Sequence, residues 1–371
     1  MCATPWHVSV SACAAEALPA RFAAAMADAG GWEDQPLLAV GLSGGADSLC
    51  LALLAAGWAR QKGGRVLALV LDHALRPAAR TEAALAARWA EAAGIAPVLL
   101  RLGRGPASAE ALRRRRVAAL ADAARAAGAL HLLLGHHRLD QAETVLLRAM
   151  RGSGGRGLAA MAPVSTLGQV RLLRPLLGVS PREIRAYLAA RRQPWIADPA
   201  NDMRGARAAL RREMADRDGE GAASIALAGL AARRREARAV EEAAVASLLG
   251  RAASLRPGGE VALDRACLLS AAPPLRATAL AAVLGGVSGR PYRPGPARLA
   301  AGAEKLAGEA GFSLGGCVLR PAGGAWIVRP ERRRVVAVAE TRGLGYCDAS
   351  RGGEAAEAAS HPEGVKSIPR L

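Results

Sequence analysis

The sequence predicts an α/β fold: a parallel sheet with helices on both faces, followed by a smaller, mostly helical second domain. Short apolar runs alternate with longer helix-forming runs through the first half of the chain, which is the order of strand–helix units. Polar or glycine-rich turns follow several apolar runs, as at the carboxyl ends of strands in open parallel sheets. From about residue 214 the composition changes to long Ala/Arg/Glu runs, which favour helices.

The elements of the first domain follow one another in order. A short lead-in helix is predicted over residues 21–29, within a lead-in segment 1–34 that precedes a main domain at 35–213. Strands are predicted where short apolar runs occur, at 36–40, 65–72, 96–100 and 131–135. Helices follow these strands, over 49–54, 80–93, 107–127 and 140–150. Ser180 and Pro181 mark a further helix, as its cap and first-turn proline.

The second domain is predicted over residues 214–344, where turn residues interrupt helical patterns. Its predicted elements are, in order, a helix at 224–250, helices within 275–310 broken near Gly285 and at 291–296, and a hairpin at 313–328. Residues 345–371 have little apolar pattern and predict a disordered tail.

The formal net charge of +18 predicts a polyanionic partner, with RNA or DNA ahead of a membrane surface. The six cysteines lie far apart without a Cys-x-x-Cys pair, which argues against a zinc ribbon or an iron–sulfur site and favours a reduced, cytoplasmic protein. Residues 1–34 lack a basic region followed by a long apolar run, so no signal peptide is expected. No segment has the apolar length of a membrane span.

The strongest functional signal is the run SGGADS, which lies between a predicted strand and a predicted helix. Glycines allow a sharp bend and a close approach of the backbone to a ligand, and the N-terminus of the helix attracts phosphate. Asp47 or Ser48 is expected to cap this helix. A plain Gly-Gly turn is the alternative, and a Walker A loop is excluded because no Gly-Lys-Ser/Thr occurs. The candidate phosphate-binding residues are Ser43, Gly44, Gly45, Ala46, Asp47 and Ser48.

Two further motifs, Asp72–Arg76 and Gly135–Asp140, also follow predicted strands. Carboxyl ends of parallel strands meet at one edge of a sheet, so these motifs and the SGGADS run predict a single site. His73 is expected to contact a ligand there, and a surface histidine explains it about equally well. His137 and its histidine neighbour point in different directions, so a phosphate or substrate role is favoured over metal binding.

Several arginines are candidate phosphate contacts. Arg113 and Arg116 share a helix face by their spacing. The glycine-rich run 151–158 contains a G-x-G-x-x-G pattern, but it follows a helix and lacks the later carboxylate of a dinucleotide-binding fold. Its Arg151 is therefore interpreted as a phosphate or RNA contact. Arg207 and Arg211 lie at helical spacing further along the chain.

These motifs resemble, in type and order, those of the bacterial tRNA(Ile)-lysidine synthetases, members of the N-type ATP pyrophosphatase superfamily. The resemblance covers about residues 20–215, and Phe312–Cys317 is similar to the family's small second domain. It implies an adenine nucleotide alpha hydrolase-like fold. The matching segments are Ser43–Ser48, Asp72–Arg76, Glu110–Arg116, His137–Thr144, Arg151–Leu158, Arg174–Leu177 and Trp195–Asn201.

The resemblance implies a ligase that uses ATP to adenylate the wobble cytidine of an isoleucine tRNA with a CAU anticodon, after which L-lysine displaces AMP. It implies ATP and Mg²⁺ as cofactors, with Asp47 as metal ligand and catalytic residue, and Asp140 as the carboxylate that accepts the amine proton. The implied cofactor contacts are Ser43–Ser48, Asp72, His73, Arg113 and His137. The implied tRNA contacts are Arg151, Arg207 and Arg211. A homodimer is left open.

Three positions depart from the family pattern. Leu139 stands where the family usually has the first of two consecutive aspartates, Val117 replaces an aromatic residue and Ala208 an asparagine. Leu139 supports one alternative, an ATP- and RNA-binding homologue without catalysis. A second alternative is a related tRNA thiolase; such enzymes commonly use cysteine pairs, and no suitable pair is present.

Overall fold

A computed structural model of the chain describes residues 6–72, 77–102, 109–197, 209–210, 213–289 and 294–331. The chain forms two compact units, the first ending at Arg238 and the second beginning at Ala239. The first unit contains a six-stranded sheet and the second a five-stranded sheet. Within the described ranges, no helix combines the length and the apolar character that crossing a bilayer requires.

The first unit alternates strands with helices, as the sequence predicts. Its strands are β1 (Leu37–Leu42), β2 (Arg65–Asp72), β3 (Ala96–Arg101), β4 (His131–Leu133), β5 (Val164–Leu167) and β6 (Val170–Leu173). Its helices are α1 (Trp6–Ala29), α2 (Ala46–Gln61), α3 (Pro77–Ala92), α4 (Ala109–Ala126), α5 (Arg138–Met150), α6 (Gly155–Leu158) and α7 (Pro181–Ala190). A long helix, α8 (Ala222–Ala252), contains the boundary between the units.

The strand order of the first sheet is β3-β2-β1-β4-β6-β5. β1 runs parallel to β2 and to β4, with Leu38 opposite Val66 on one side and His131 on the other. β6 continues the parallel arrangement next to β4, and β5 pairs antiparallel with β6. The chain progresses from β1 outward to β2 and β3, then returns to the other side of β1 as β4. In parallel α/β sheets this reversal opens a crevice beyond the strand ends, where ligands bind.

Side chains of β1 alternate between two buried clusters because successive residues of a strand face opposite sides of the sheet. Leu38 and Val40 belong to a cluster that includes Phe22 of α1 and Leu51 of α2. Ala39 belongs to a second cluster with Leu120 of α4. Helices therefore cover both faces of the sheet, which confirms the predicted fold class.

The second unit combines helices with an antiparallel sheet of order β7-β8-β11-β10-β9. Trp326 is fully buried in the hydrophobic core of this unit, and its Nε1 donates to the Leu306 carbonyl at 3.0 Å. After α8, the helices are α9 (Arg265–Ser270), α10 (Pro273–Ser288) and α11 (Pro296–Lys305). The strands are β7 (Ala253–Arg256), β8 (Glu260–Asp264), β9 (Phe312–Leu314), β10 (Cys317–Ala322) and β11 (Ala325–Pro330).

The structure confirms the helix predicted at 224–250 and the hairpin with Trp326, now β10 and β11. The predicted helix break near Gly285 is wrong: α10 continues to Ser288 and ends at Gly289, which has a φ of +61°. A glycine weakens a helix without ending it when its neighbours stay buried, as Val283 and Leu284 do. The predicted limits of the domains stay predictions, and the predicted tail at 345–371 lies outside the described residues.

Candidate active site

The SGGADS run connects the carboxyl end of β1 to α2 and is called here the pyrophosphate loop (residues 43–48). The first residue of α2 is Ala46, and its N-cap is Gly45, which has an extended backbone with φ −70° and ψ 161°. The expected capping by Asp47 or Ser48 is therefore wrong, since both lie inside the first turn. Ser48 instead donates to the Gly45 carbonyl at 3.0 Å and accepts from the Ser43 amide at 3.1 Å. These bonds hold the loop closed on itself.

The two glycines of this loop have different surroundings. Gly44 has a φ of +81°, and a Cβ there would come within 2.5 Å of Ile196 Cδ1 and 3.2 Å of Ala86 Cβ. A Cβ at Gly45 would meet only the Ser43 hydroxyl, at 3.6 Å, which is an ordinary contact. Gly44 is thus needed by the fold, whereas Gly45 leaves space beside the backbone that a phosphate can approach.

The loop after β4 lies against the first turn of α2. A Cβ on Gly135 would come within 3.0 Å of the Asp47 carbonyl oxygen, so the absence of a side chain permits this approach. His137 is buried at 6% exposure, and its Nε2 lies 3.7 Å from Asp47 Oδ2. The structure therefore brings together the motifs that follow β1 and β4, as the sequence predicts.

Asp140 is 9% exposed and forms a reciprocal capping box with His137 at the start of α5. The His137 amide donates to Asp140 Oδ2 at 3.0 Å, and the Asp140 amide donates to His137 Nδ1 at 3.4 Å. In the neutral ring, an accepting Nδ1 leaves the proton on Nε2, facing Asp47. Asp47, His137 and Asp140 thus form a row.

Leu139 points away from this row. Its side chain is 3% exposed, and its Cβ lies 3.7 Å from the position of a Cβ on Gly219, near Pro181 of α7. Adjacent helix residues point about 100° apart around the axis, so an aspartate at position 139 would point toward Gly219 and Pro181 and not toward the row. The departure from the family pattern at Leu139 leaves the row of Asp47, His137 and Asp140 intact.

Arginines also lie at this edge of the sheet. Arg113 of α4 approaches His136, with 2.6 Å between Nη2 and Nε2. Arg174 directly follows β6 and donates to the Ala162 carbonyl and to the Ser165 hydroxyl, both at 3.0 Å. Burial lowers the pKa of Arg174, and the positive charge of Arg113 lowers it further. Burial also lowers the pKa of Arg116.

The remaining predicted residues fall in three places. Asp72 ends β2, the strand beside β1, and Ala46 opens α2. Arg151 is exposed at the far end of α5, about 20 Å along the helix from His137, so the structure does not bring it to the same cluster. His73, Arg207 and Arg211 lie outside the described residues.

The contact between Ile196 and Gly44 is not predicted by the sequence. The Ile196 amide donates to the Gly44 carbonyl at 2.9 Å. The sequence singles out Ile196 only within the segment Trp195–Asn201, because no local pattern indicates which distant backbone group an amide will meet. The Trp-Ile pair in a turn after a helix is the one available signal, since apolar residues in a turn require a packing partner.

The PP-loop domain family matches residues 16–217. A tRNA(Ile)-lysidine synthase from Bradyrhizobium sp. (strain BTAi1) is 42% identical over 267 residues, covering 68% of this chain and 72% of that protein. The tRNA(Ile)-lysidine synthase of Hyphomonas neptunium is 36% identical over 288 residues, covering 75% and 77%. The chain belongs to the tRNA(Ile)-lysidine synthase family. This confirms the resemblance inferred from the motifs.

Among solved structures, the U34-tRNA thiolase NcsA from Methanococcus maripaludis, determined with its [4Fe-4S] cluster, superposes with a TM-score of 0.50. The identity is 16%, and the match covers 60% of this chain and 79% of that one. At this identity the likeness shows the fold alone. It agrees with a PP-loop fold for the first unit of this family member.

The residues of the site suit a metal bound together with phosphates. The described residues contain no group of three or more His, Cys, Asp or Glu able to hold an ion unaided. Mg²⁺ is commonly held by one or two carboxylates together with substrate phosphate oxygens and water. Asp47, in the first turn of α2 beside the open space at Gly45, fits that arrangement.

Proposed function

We propose that the chain ligates L-lysine to the wobble cytidine of an isoleucine tRNA, with ATP as the second substrate. This proposal is supported by membership of the family and by one structural observation, the arrangement of Asp47, His137 and Asp140. The pyrophosphate loop lies where the strand order reverses, and His137 connects its Asp47 to Asp140. A loop suited to anions and a carboxylate at one crevice support this assignment. The CAU anticodon, Mg²⁺ and a cytoplasmic location are parts of the proposal.

In the first step, the carbonyl oxygen of the cytidine attacks the α-phosphate of ATP. A new P–O bond forms in line with the bond that breaks, and pyrophosphate leaves. Backbone N–H groups of the pyrophosphate loop and the N-terminus of α2 stabilise the charge that develops on the leaving group. Asp47 would hold Mg²⁺, which supplies further positive charge to the phosphates.

In the second step, the lysine amine attacks the activated carbon of the cytidine. A C–N bond forms, the C–O bond to AMP breaks, and the amine loses a proton. With a pKa near 10.4, only about one amine in 2,500 is neutral at pH 7, so a nearby carboxylate helps by orienting the amine and accepting the proton. Asp140 is the proposed carboxylate, because His137 and the start of α5 hold it at the same crevice as Asp47.

Arginines supply the proposed phosphate contacts. Arg113 is proposed to contact ATP, because it lies beside His136 in the loop that follows β4, the strand next to β1. Arg151, Arg207 and Arg211 are proposed to contact the tRNA backbone, and the net charge of +18 favours that partner.

The deciding experiment is incubation of the purified protein with ATP, radiolabelled lysine and isoleucine tRNA. We expect label in the tRNA, with AMP and pyrophosphate released in equal amounts. The same tRNA with uridine at the wobble position is the control and should remain unlabelled. ATP and tRNA binding without labelling would instead support the non-catalytic homologue. A tRNA thiolase is not favoured, since the relatives matched at 42% and 36% identity are lysidine synthases.

A further inference from the structure

The segment that follows α7 is held so that it reaches the pyrophosphate loop. It is called here the return segment (residues 193–197). The Gln193 amide donates to the Leu188 carbonyl and the Arg192 amide to the Ala189 carbonyl, both at 3.0 Å, which is a Schellman ending for α7. Arg192 has a φ of +53°, a conformation that is uncommon outside glycine. This turn fixes the direction in which the chain leaves the helix.

The return segment is anchored in the core by its tryptophan. Trp195 is partly buried and packs against the core cluster that joins β1 to α1, α2, α3 and α7. Its neighbour Ile196 then makes two contacts with Gly44. The Ile196 amide donates to the Gly44 carbonyl at 2.9 Å, and the Ile196 side chain occupies the space that a Cβ on Gly44 would need.

The hydrogen bond from Ile196 fixes the orientation of one peptide group in the pyrophosphate loop. The Gly44 carbonyl and the Gly45 N–H belong to the same planar peptide, and in a trans peptide they point in opposite directions. With the carbonyl held toward Ile196, the Gly45 N–H points away from the return segment. Glycine peptides otherwise rotate with little steric cost, so without such a contact this N–H has no fixed direction.

We propose that Ile196 is a positioning residue for the pyrophosphate loop. It holds the Gly44–Gly45 peptide so that the Gly45 N–H is already aimed at phosphate oxygens before nucleotide binds. The inference rests on the proposed function in one respect, namely that this loop binds the pyrophosphate part of ATP. Preorganised donors act on the charge of the leaving group without reorganising during the reaction, so loss of Ile196 should impair the first step selectively.

The test compares Ile196→Ala and Ile196→Val with Ile184→Val. Both variants keep the Ile196 backbone amide, so they test whether the side chain holds that amide in position against Gly44. Ile196→Val removes Cδ1, the atom closest to the position of a Cβ on Gly44, and Ile196→Ala removes every side-chain atom beyond Cβ. Ile184 is fully buried in the same cluster on α7, so Ile184→Val is a matched loss of one methylene away from the loop. Inorganic pyrophosphate binding is measured by calorimetry without tRNA or lysine, well below each variant's melting temperature. Adenylation of tRNA and lysine transfer to isolated adenylated tRNA are measured separately.

We expect Ile196→Ala to weaken pyrophosphate binding and slow adenylation by about tenfold, with lysine transfer unchanged; one oxyanion donor removed outright costs on the order of a hundredfold or more. Ile196→Val should lose about two- to threefold. Ile184→Val should lower the melting temperature and leave pyrophosphate binding unchanged. If Ile196→Ala does not fold, the comparison of Ile196→Val with Ile184→Val decides.

Two results would overturn the inference. One is wild-type pyrophosphate affinity in the folded Ile196 variants. The other is an equal loss in both half-reactions, which would indicate a general structural role. The proposed function can fail separately. If the wild-type protein makes no lysidine, but the Ile196 variants bind pyrophosphate more weakly than the wild type, the positioning role stands and the lysidine reaction is rejected.

Discussion

His137 Nε2 lies 3.7 Å from Asp47 Oδ2, which links the loop after β4 to the first turn of the helix after β1. The distance exceeds that of a hydrogen bond but permits an electrostatic interaction between the two side chains. The other ring nitrogen of His137 accepts from the Asp140 amide, so one side chain both caps α5 and faces Asp47.

These two roles of His137 are separable by mutation. Asparagine is a good N-cap and keeps an acceptor for the Asp140 amide, but it is too short to reach Asp47. We expect His137→Asn to retain nearly wild-type stability and to slow adenylation. His137→Ala should slow adenylation similarly and also lose about 1 kcal/mol of unfolding free energy through the lost cap. Urea unfolding and the rate of pyrophosphate release measure the two effects. Equal stability of both variants would contradict the capping role.

The neighbouring glycines should respond differently to substitution. Gly44→Ala places a Cβ at a φ of +81° against Ile196, so we expect a loss of about 1–3 kcal/mol in unfolding free energy. A Cβ at Gly45 meets only the Ser43 hydroxyl at 3.6 Å, so Gly45→Val should fold, yet its side chain occupies the space proposed for phosphate. Tm and tRNA-dependent release of pyrophosphate are the measurements. Normal pyrophosphate release by folded Gly45→Val would remove the loop from the mechanism.

Binding of tRNA should weaken steeply with salt, because arginines displace counterions from the phosphate backbone. Replacing Arg207 and Arg211 together with glutamine should reduce the slope of log affinity against log salt by about one to two. Arg60→Gln with Arg125→Gln is the matched control. Those exposed arginines lie at the C-terminal ends of α2 and α4, away from the strand ends that carry the site. Equal slopes for the two double variants would assign Arg207 and Arg211 a structural role.

The sequence predicted most of the first unit because its signals are local. Apolar runs, the SGGADS turn and the Ser180-Pro181 start of α7 each specify structure within a few residues. Local signals indicate the wrong cap for α2: the N-cap is Gly45, and Ser48 hydrogen-bonds back to Gly45 and Ser43 from inside the helix. The contact of Ile196 with Gly44 joins segments far apart in the chain, so it depends on how α7 packs and has no local signal.

Glu183 links the first unit's stability to pH. Its burial raises the pKa, but the Ser180 amide at 2.8 Å and the charge of Arg21 outweigh this, so the pKa lies below its usual 4.5. A depressed folded-state pKa contributes stability that is present above about 4.5 and is lost as the pH falls through the folded value. We expect Glu183→Gln to be about 1 kcal/mol less stable than wild type at pH 7, and this difference should disappear in acid. Urea unfolding from pH 7 to pH 3 measures it, and a difference that persists at pH 3 would point to packing instead.

The last prediction concerns Asp140. Asp140→Asn keeps an oxygen that can accept from the His137 amide, so α5 should remain capped and the protein folded. If the carboxylate handles the lysine amine, adenylation of cytidine should proceed, because a carbonyl oxygen attacks without losing a proton. Lysine transfer should fail at neutral pH and recover partly toward pH 9.5, where more of the amine is neutral. Adenylated tRNA should then accumulate, or hydrolyse with release of AMP.

A metal-binding role for Asp140 predicts a different pattern, namely loss of both half-reactions at every pH. Formation of adenylated tRNA and of lysidine, followed separately from about pH 7 to 9.5, distinguishes the two roles. Asp140→Ala is the companion variant, since it should lose about 1 kcal/mol of stability with the cap while showing the same division between half-reactions. If both half-reactions proceed normally in Asp140→Asn, the carboxylate must come from elsewhere, and Asp72 and Glu143 are the next residues to test.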